Sequence, residues 1–300
     1  MVFSWILATK LRRQTAKVRQ SEKNFHCQLF AEIIVNFVRM ENTKHIQITI
    51  KKGTEIHDVE TWYVVAPPKD PKLQWKNGRS AKELARFATD PSFSDFIQSV
   101  LKNAGIAVQD FICEPEAETY FEKQDGEKID MGINGPRNHD LLMIGKTCVI
   151  GVEAKVSEKF GNNTVQIEWE KAKTQNKKVK RIPGLIEFLS NGKYKDYEST
   201  PESIKRLQYQ LLTATVGTVL EAKRKLDWKR NKNIEAIVLV LVFTGNVAKE
   251  NGFEQNVQYN NDALKAFIDE FFEDGVATIQ GIKCRIVERE VKLISNYKFD

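Results

Sequence analysis

The sequence predicts an α/β protein built on a mixed central β-sheet flanked by helices, and three observations carry that. Residues 139–144 and 147–156 are apolar segments that meet at Gly145-Lys146, as the arms of a hairpin do. Residues 236–243 are apolar without a break, the mark of a strand covered on both faces. Segments of helical spacing lie between and around them, so the two periods alternate along the chain. At 300 residues, 41% hydrophobic and 29% charged, there is material for one large domain with a sizeable core.

Taken in order, residues 44–50 and 60–66 alternate β-branched or aromatic with polar side chains and read as strands. Ala66-Pro67-Pro68 opens a loop that runs to Asn77-Gly78. Ser80 is placed to cap a helix over 81–89, with Glu83 completing a capping box. Residues 91–103 carry Phe93, Phe96, Ile97, Val100 and Leu101 at helical spacing, and Gly105 ends that helix. A short strand over 108–113 leads into the acidic cluster Glu114, Glu116 and Glu118. After the hairpin, 161–176 is polar and partly helical, and 182–189 is a short helix broken at Asn191-Gly192. Thr200-Pro201 opens a long helix to about Lys225. The strand 236–243, a helix over 262–272 and an extended segment over 282–294 complete the chain, with no internal repeat.

Composition excludes several classes. No apolar run approaches the roughly 18 residues of a membrane span. Four cysteines without a CxxC pair argue against a disulfide framework and a thiolate zinc site, and suit reduced thiols in the cytoplasm. The net charge of +6 is unevenly laid out: +5 over 1–39, −4 over 40–158, +8 over 159–235 and −3 over 236–300. An acidic stretch followed by a basic one suits a carboxylate cluster beside a polyanion-binding surface. Residues 1–39 differ from the rest, with an apolar run before the basic residues where a signal peptide has the reverse. They read as an extension upstream of a single domain over 40–300, with a basic arm that holds nucleic acid as the competing reading.

The chemistry concentrates at Asp140, Glu153 and Lys155. Five (D/E)xK triplets occur, about as many as chance gives for this composition, so context has to separate them. Only Glu153-Ala154-Lys155 ends an apolar strand whose partner begins with an acid. With a two-residue loop, Ile144 faces Thr147 and Asp140 faces Gly151. Asp140, Gly151, Glu153 and Lys155 then share one face, with the two acids diagonal neighbours about 7–8 Å apart across an empty notch at Gly151. Two carboxylates aimed together repel unless a cation joins them, and oxygen-only ligands suit Mg²⁺. An ammonium on the same face can orient water or steady charge on a phosphate.

Asp140…Glu153-Ala154-Lys155 on a hairpin, followed by a helix and a buried strand, resembles the PD-(D/E)XK nuclease superfamily. Three further stretches look like a bacterial family of uncharacterised members placed in that superfamily: Trp75 to Ala81, Val152 to Gly161, and Arg206 to Leu212. The chain departs from that family's pattern at Asn138-His139 and at Ala154. The resemblance implies a restriction-endonuclease-like αβββαβ core, Asp140 and Glu153 as metal ligands helped by the Ala154 carbonyl, and Lys155 as the residue that activates water or steadies the transition state. It implies Glu116 or Glu118 as a completing acid, and places Gln210 where many relatives carry a glutamine. Mg²⁺ is the implied ion, with Mn²⁺ a substitute.

Plainer readings stand beside these. The glutamates at 114, 116 and 118 are otherwise a solvated acidic face. Arg206 and Gln210, four apart on one helical face, reach phosphate or the carboxylates, or are helix surface. Lys177, Lys178, Lys180 and Arg181 form the densest basic run, a phosphate-contacting loop whose affinity would fall with salt, or a solvated one. His139 points away from Asp140 and is structural, and Trp169 between two acids is packing. The function expected is a Mg²⁺-dependent nuclease acting on nucleic acid, DNA ahead of RNA. The alternative is a catalytically silent nuclease-like module that binds nucleic acid or protein.

Overall fold

A computed structural model describes residues 46–121, 136–156, 158–175, 179–226, 233–245 and 253–293. The 1–39 extension, Lys177 and Lys178 lie outside the described residues. Among the described residues eight strands make one mixed sheet. They are β1 (Ile48–Lys52), β2 (Thr54–Glu55), β3 (Phe111–Thr119), β4 (Arg137–Ile144), β5 (Cys148–Lys155), β6 (Glu235–Gly245), β7 (Val276–Ile279) and β8 (Ile282–Leu293). Their order is β2-β1-β3-β4-β5-β6-β8-β7. β3, β4 and β5 form an antiparallel meander, β6 lies parallel to β5, and β8 parallel to β6.

Among the described residues four helices precede β3: α1 (Val59–Val65), α2 (Pro71–Gln74), α3 (Ser80–Ala88) and α4 (Ser92–Asn103). Four more separate β5 from β6: α5 (Val165–Gln175), α6 (Arg181–Leu189), α7 (Glu202–Lys205) and α8 (Tyr209–Lys225). α9 (Phe253–Phe271) follows β6. The unbroken apolar run of β6 is explained by the two layers it separates. Ile237, Leu239, Leu241 and Phe243 pack with Trp62, Leu84, Phe93 and Ile97 of α1, α3 and α4. Ala236, Val238 and Val240 pack with Leu185, Leu211, Val219 and Phe267 of α6, α8 and α9. Each large apolar side chain among these contributes about 1.5–3 kcal/mol once buried. No described helix is long and apolar enough to cross a membrane.

The α/β class stands, with three corrections to its elements. Residues 60–66 are not a strand but most of α1, whose start is fixed by the Asp58 carboxylate accepting the Thr61 N–H at 2.7 Å. The long helix from 200 is two helices. Between them the chain crosses residues 163–165, with the Val165 N–H donated to Leu207 O at 2.9 Å and the Tyr209 N–H to Asn163 O at 3.1 Å. The hairpin loop has four residues, closed by Gly145 N–H to Cys148 O at 2.9 Å, so Ile144 pairs with Val149. Gln109 props that loop by accepting the Thr147 N–H at 2.8 Å. The register moves by two, a shift that by itself preserves side-chain faces but changes which residues oppose each other.

Candidate active site

β3 and β4 exchange faces at one level. Phe111 and Cys113 of β3 join the core under α3 and α4, whereas Ala117 and Phe121, at the same even spacing, join the other core. In β4, Leu141 and Met143 face the first layer, while His139 lies against α8. Strict alternation forbids this, so the backbone must twist between. It does so at Glu116, which adopts a left-handed φ of 47°, in the gap between the pairs Pro115↔Leu141 and Ala117↔His139, opposite Asp140. Lys52 holds the kink by donating to the backbone carbonyls of Pro115 (3.3 Å) and Glu116 (2.8 Å). At the crossover Asp140 lies along the sheet and its Oδ2 accepts the Ala154 N–H at 2.7 Å. Ala154 thus enters the site through its N–H.

The ladder between β4 and β5 ends at Leu141↔Val152 and sets Leu142, not Asp140, opposite Gly151. Just past its end, Asp140 and Glu153 feel each other's charge. The notch at Gly151 is not empty either. α8 fills it, and a Cβ there would collide with the Thr218 hydroxyl and come within 3.1 Å of His139 Nδ1. Gly217 on α8 leaves the matching space on the other side of His139, whose Nε2 lies 3.0 Å from Thr119 Oγ1. His139 fills a slot made by two glycines, on the Gly151 side of the sheet rather than on the opposite face expected, because β4 changes face at this level.

Glu153 is 1% exposed and fully engaged. Its Oε2 accepts from Arg137, and its Oε1 accepts from Lys155 and from Gln210 in the first turn of α8. Burial works against the charge of Glu153, but Arg137 and Lys155 outweigh it and hold the carboxyl below its usual range. Burial likewise opposes the Lys155 ammonium, yet Glu153 and Asp140 keep its pKa above the ordinary value. Asp140 is pushed up to about 6, by burial and then by Glu153. Glu116 is pushed up to about 8, by burial and then by Asp140, with Lys52 partly offsetting them. Three carboxylates therefore feel one another around a single buried lysine.

A further ring supports them. Glu158 accepts the Ser80 N–H at the start of α3 and the Val156 N–H, both at 3.0 Å. Burial raises its pKa, but the Ser80 bond and Lys155 bring it below normal. Asn260 on α9 clamps that turn, accepting from Phe160 N and donating to Glu158 O, each at 2.9 Å. The capping box predicted at Ser80 is absent, because Glu83 instead accepts the Gly78 N–H at 2.8 Å and pairs with Arg86. A cavity of about 740 Å³ opens onto Glu116, Arg137, Asp140, Lys155, Glu158, Arg181 and Gln210, with Arg79 and Ser80 on another wall.

Of the residues singled out in the sequence, Asp140, Glu153, Lys155, Glu116 and Gln210 converge here. Glu118 does not; it is exposed and accepts from the Tyr120 hydroxyl at 2.7 Å. Arg206 does not; the break before α8 leaves it exposed at the end of α7. Lys180 is exposed, whereas Arg181 is 4% exposed, over the Phe121 ring at 4.5 Å and on the cavity wall. Arg181 is therefore no part of a solvated basic loop. Trp169 packs on Tyr197 at 4.5 Å, as expected. Sequence reading missed Arg137, which no spacing distinguishes from the neighbouring loop, and Glu158, which stands within the Val152 to Gly161 stretch.

The titrations have opposite signs. Asp140 binds its proton more tightly folded than unfolded, so its shift removes stability as pH rises from about 4 to about 6. Burial holds His139 down to about 3, so its shift removes stability as pH falls from about 6.5. The two mask each other in the native chain. Asp140→Asn isolates the first: its urea midpoint relative to the parent is expected to climb between about pH 4 and 6. A difference that stays flat would mean that Asp140 titrates normally.

Fold and site together define an α/β protein with a carboxylate–lysine cluster buried where two sheet strands exchange faces. The chain belongs to the family described as a domain of unknown function (DUF6946), whose model matches residues 55–296. No curated protein and no solved structure matches it.

Proposed function

We propose that the chain is a Mg²⁺-dependent nuclease that hydrolyses phosphodiester bonds in nucleic acid, with DNA the first substrate to try. The observation that carries this is the convergence of Asp140 and Glu153 on Lys155, with Glu116 beside Asp140, where Glu116, Asp140 and Lys155 line one cavity. Burial and mutual repulsion raise the proton affinity of Glu116 and Asp140, and a cation between such oxygen donors relieves both. The donor chemistry fits Mg²⁺ or Mn²⁺ held by Asp140 and Glu153, with Glu116 able to join. Such an ion supplies Lewis acidity toward a phosphate and a nucleophilic water. The meander β3-β4-β5, the helix α8 and the parallel β6 come in the order the αβββαβ resemblance implies, with α3 and α4 ahead of them and α5, α6 and α7 inserted between β5 and α8.

Lys155, held charged by two carboxylates, orients water and steadies the phosphate as an ammonium rather than acting as a base. The cations Lys69, Arg79 and Arg181 on the cavity wall suit a polyanion. Three buried free thiols, Cys113, Cys148 and Cys284, suit a reducing compartment such as the cytoplasm.

One observation favours a second reading, a silent nuclease-like module that binds nucleic acid or protein. Among the described residues no three His, Cys, Asp or Glu side chains stand ready around one metal position. Plasmid, linear duplex, single-stranded DNA and RNA incubated with Mg²⁺, with Mn²⁺ and with EDTA separate the two. Cleavage that EDTA abolishes is expected. Salt-sensitive binding with no cleavage in either metal would establish the module instead.

A further inference from the structure

We infer that Arg137 is an internal counter-ion of Glu153 that must swing off the carboxylate before a divalent cation can be held, so that the site closes itself when metal is absent. The inference rests on the nuclease reading above. Glu153 sends one oxygen to Arg137 and the other to Lys155 and Gln210, so a metal ligand is freed only when a donor leaves.

Of the three donors, Arg137 is the one built to leave. Lys155, the last residue of β5, is 5% exposed, stands over the Phe160 ring at 5.6 Å and is drawn by Asp140 as well as by Glu153. Gln210 is neutral and repels no cation. Arg137 is the first residue of β4, and its side chain borders a cavity large enough to receive it. Gly217 leaves room for its stem, since a Cβ there would stand 3.4 Å from Arg137 Cγ. A guanidinium and a dication on one carboxylate repel strongly at that range in so dry a place. Displaced into the cavity, the planar fork of Arg137 is suited to bidentate phosphate contact. Arg137 thereby couples the two ligands: whatever draws it to a phosphate opens Glu153.

The test is Mn²⁺ binding alone, by calorimetry on the EDTA-treated full chain, for the parent, Arg137→Gln, Arg137→Lys and Asp140→Asn. Arg137→Gln is expected to bind Mn²⁺ about tenfold or more tightly than the parent, because a cation no longer competes. Arg137→Lys, which keeps the charge, should stay near the parent, and Asp140→Asn should lose binding. Unchanged affinity in Arg137→Gln, with binding that still needs Asp140, overturns the role of Arg137 and leaves the metal reading standing. No Mn²⁺ binding to any form overturns both. Should Arg137→Gln fail to fold, Mg²⁺ titration of the parent, followed by arginine side-chain nitrogen resonances, reads the same event. A resonance lost in Arg137→Lys should move with Mg²⁺, and one that stays fixed while Mg²⁺ binds overturns the inference.

Discussion

Lys155→Met is expected to lower metal-dependent cleavage by about a hundredfold to ten-thousandfold while leaving affinity for nucleic acid nearly unchanged. The ammonium lies between Glu153 and Asp140, the point from which charge on a phosphate or an attacking water can be steadied. Methionine keeps most of the volume, and Glu153 retains Arg137 and Gln210 as partners. The loss should fall on the rate, and the urea midpoint should drop as well, because Asp140 and Glu158 lose their buried cation. Single-turnover cleavage measured beside filter binding separates the two. A variant that cuts as fast as the parent places the chemistry elsewhere, and a variant that neither binds nor folds shows the lysine to be structural.

Gly151→Ala should be the most damaging small substitution in the sheet, by about 2–3 kcal/mol. At Gly151, as at Gly217, the requirement is space rather than backbone freedom. α8 comes so close that the first side-chain atom would meet Thr218, whose Cβ stands 3.2 Å from the position, and His139 behind it. Thr218→Ala removes the colliding hydroxyl, which donates to Ala214 O within its own helix, so alone it should cost little. Combined with Gly151→Ala it should recover about 1 kcal/mol of the loss, measured by urea unfolding of the four forms. Strictly additive effects would mean that the helix shifts rather than collides.

The hairpin acids and the lysine were legible because side-chain direction in a strand has a period of two, and parity survives an error in loop length. Reading a two-residue loop where four residues close the turn put Asp140 rather than Leu142 opposite Gly151, but a shift of two moves no residue of β5 to the other face. The double-sided burial of β6 was legible for a similar reason, since a strand wetted on one face would carry polar side chains at every second position. The run at 60–66 misled because Val59, Tyr63 and Val65 satisfy a strand pattern, while the single carboxylate of Asp58 decides for a helix. Arg206 and Gln210 look like one helical face until residues 163–165 cross between them. Arg137 was invisible because its role depends on where β4 begins relative to β5, which only the paired register reveals. Glu116 was one of three equivalent acids, and the left-handed backbone that selects it comes from a change of face that no periodicity announces.

That change of face has a consequence for how the chain avoids misfolding. In a uniformly alternating antiparallel pair, a slip by two residues restores every side chain to its proper layer and costs only the end pairs, which makes it the most tolerable error. Here β3 and β4 each carry one inversion, and the two must sit at the same level. A slip of two would separate them, turning Ala117 or His139 into the opposite core and leaving a buried glutamate between apolar layers. The crossover that brings Glu116 and Asp140 together therefore works as a key that admits one alignment, so a chain that has folded into this sheet has already assembled its acids.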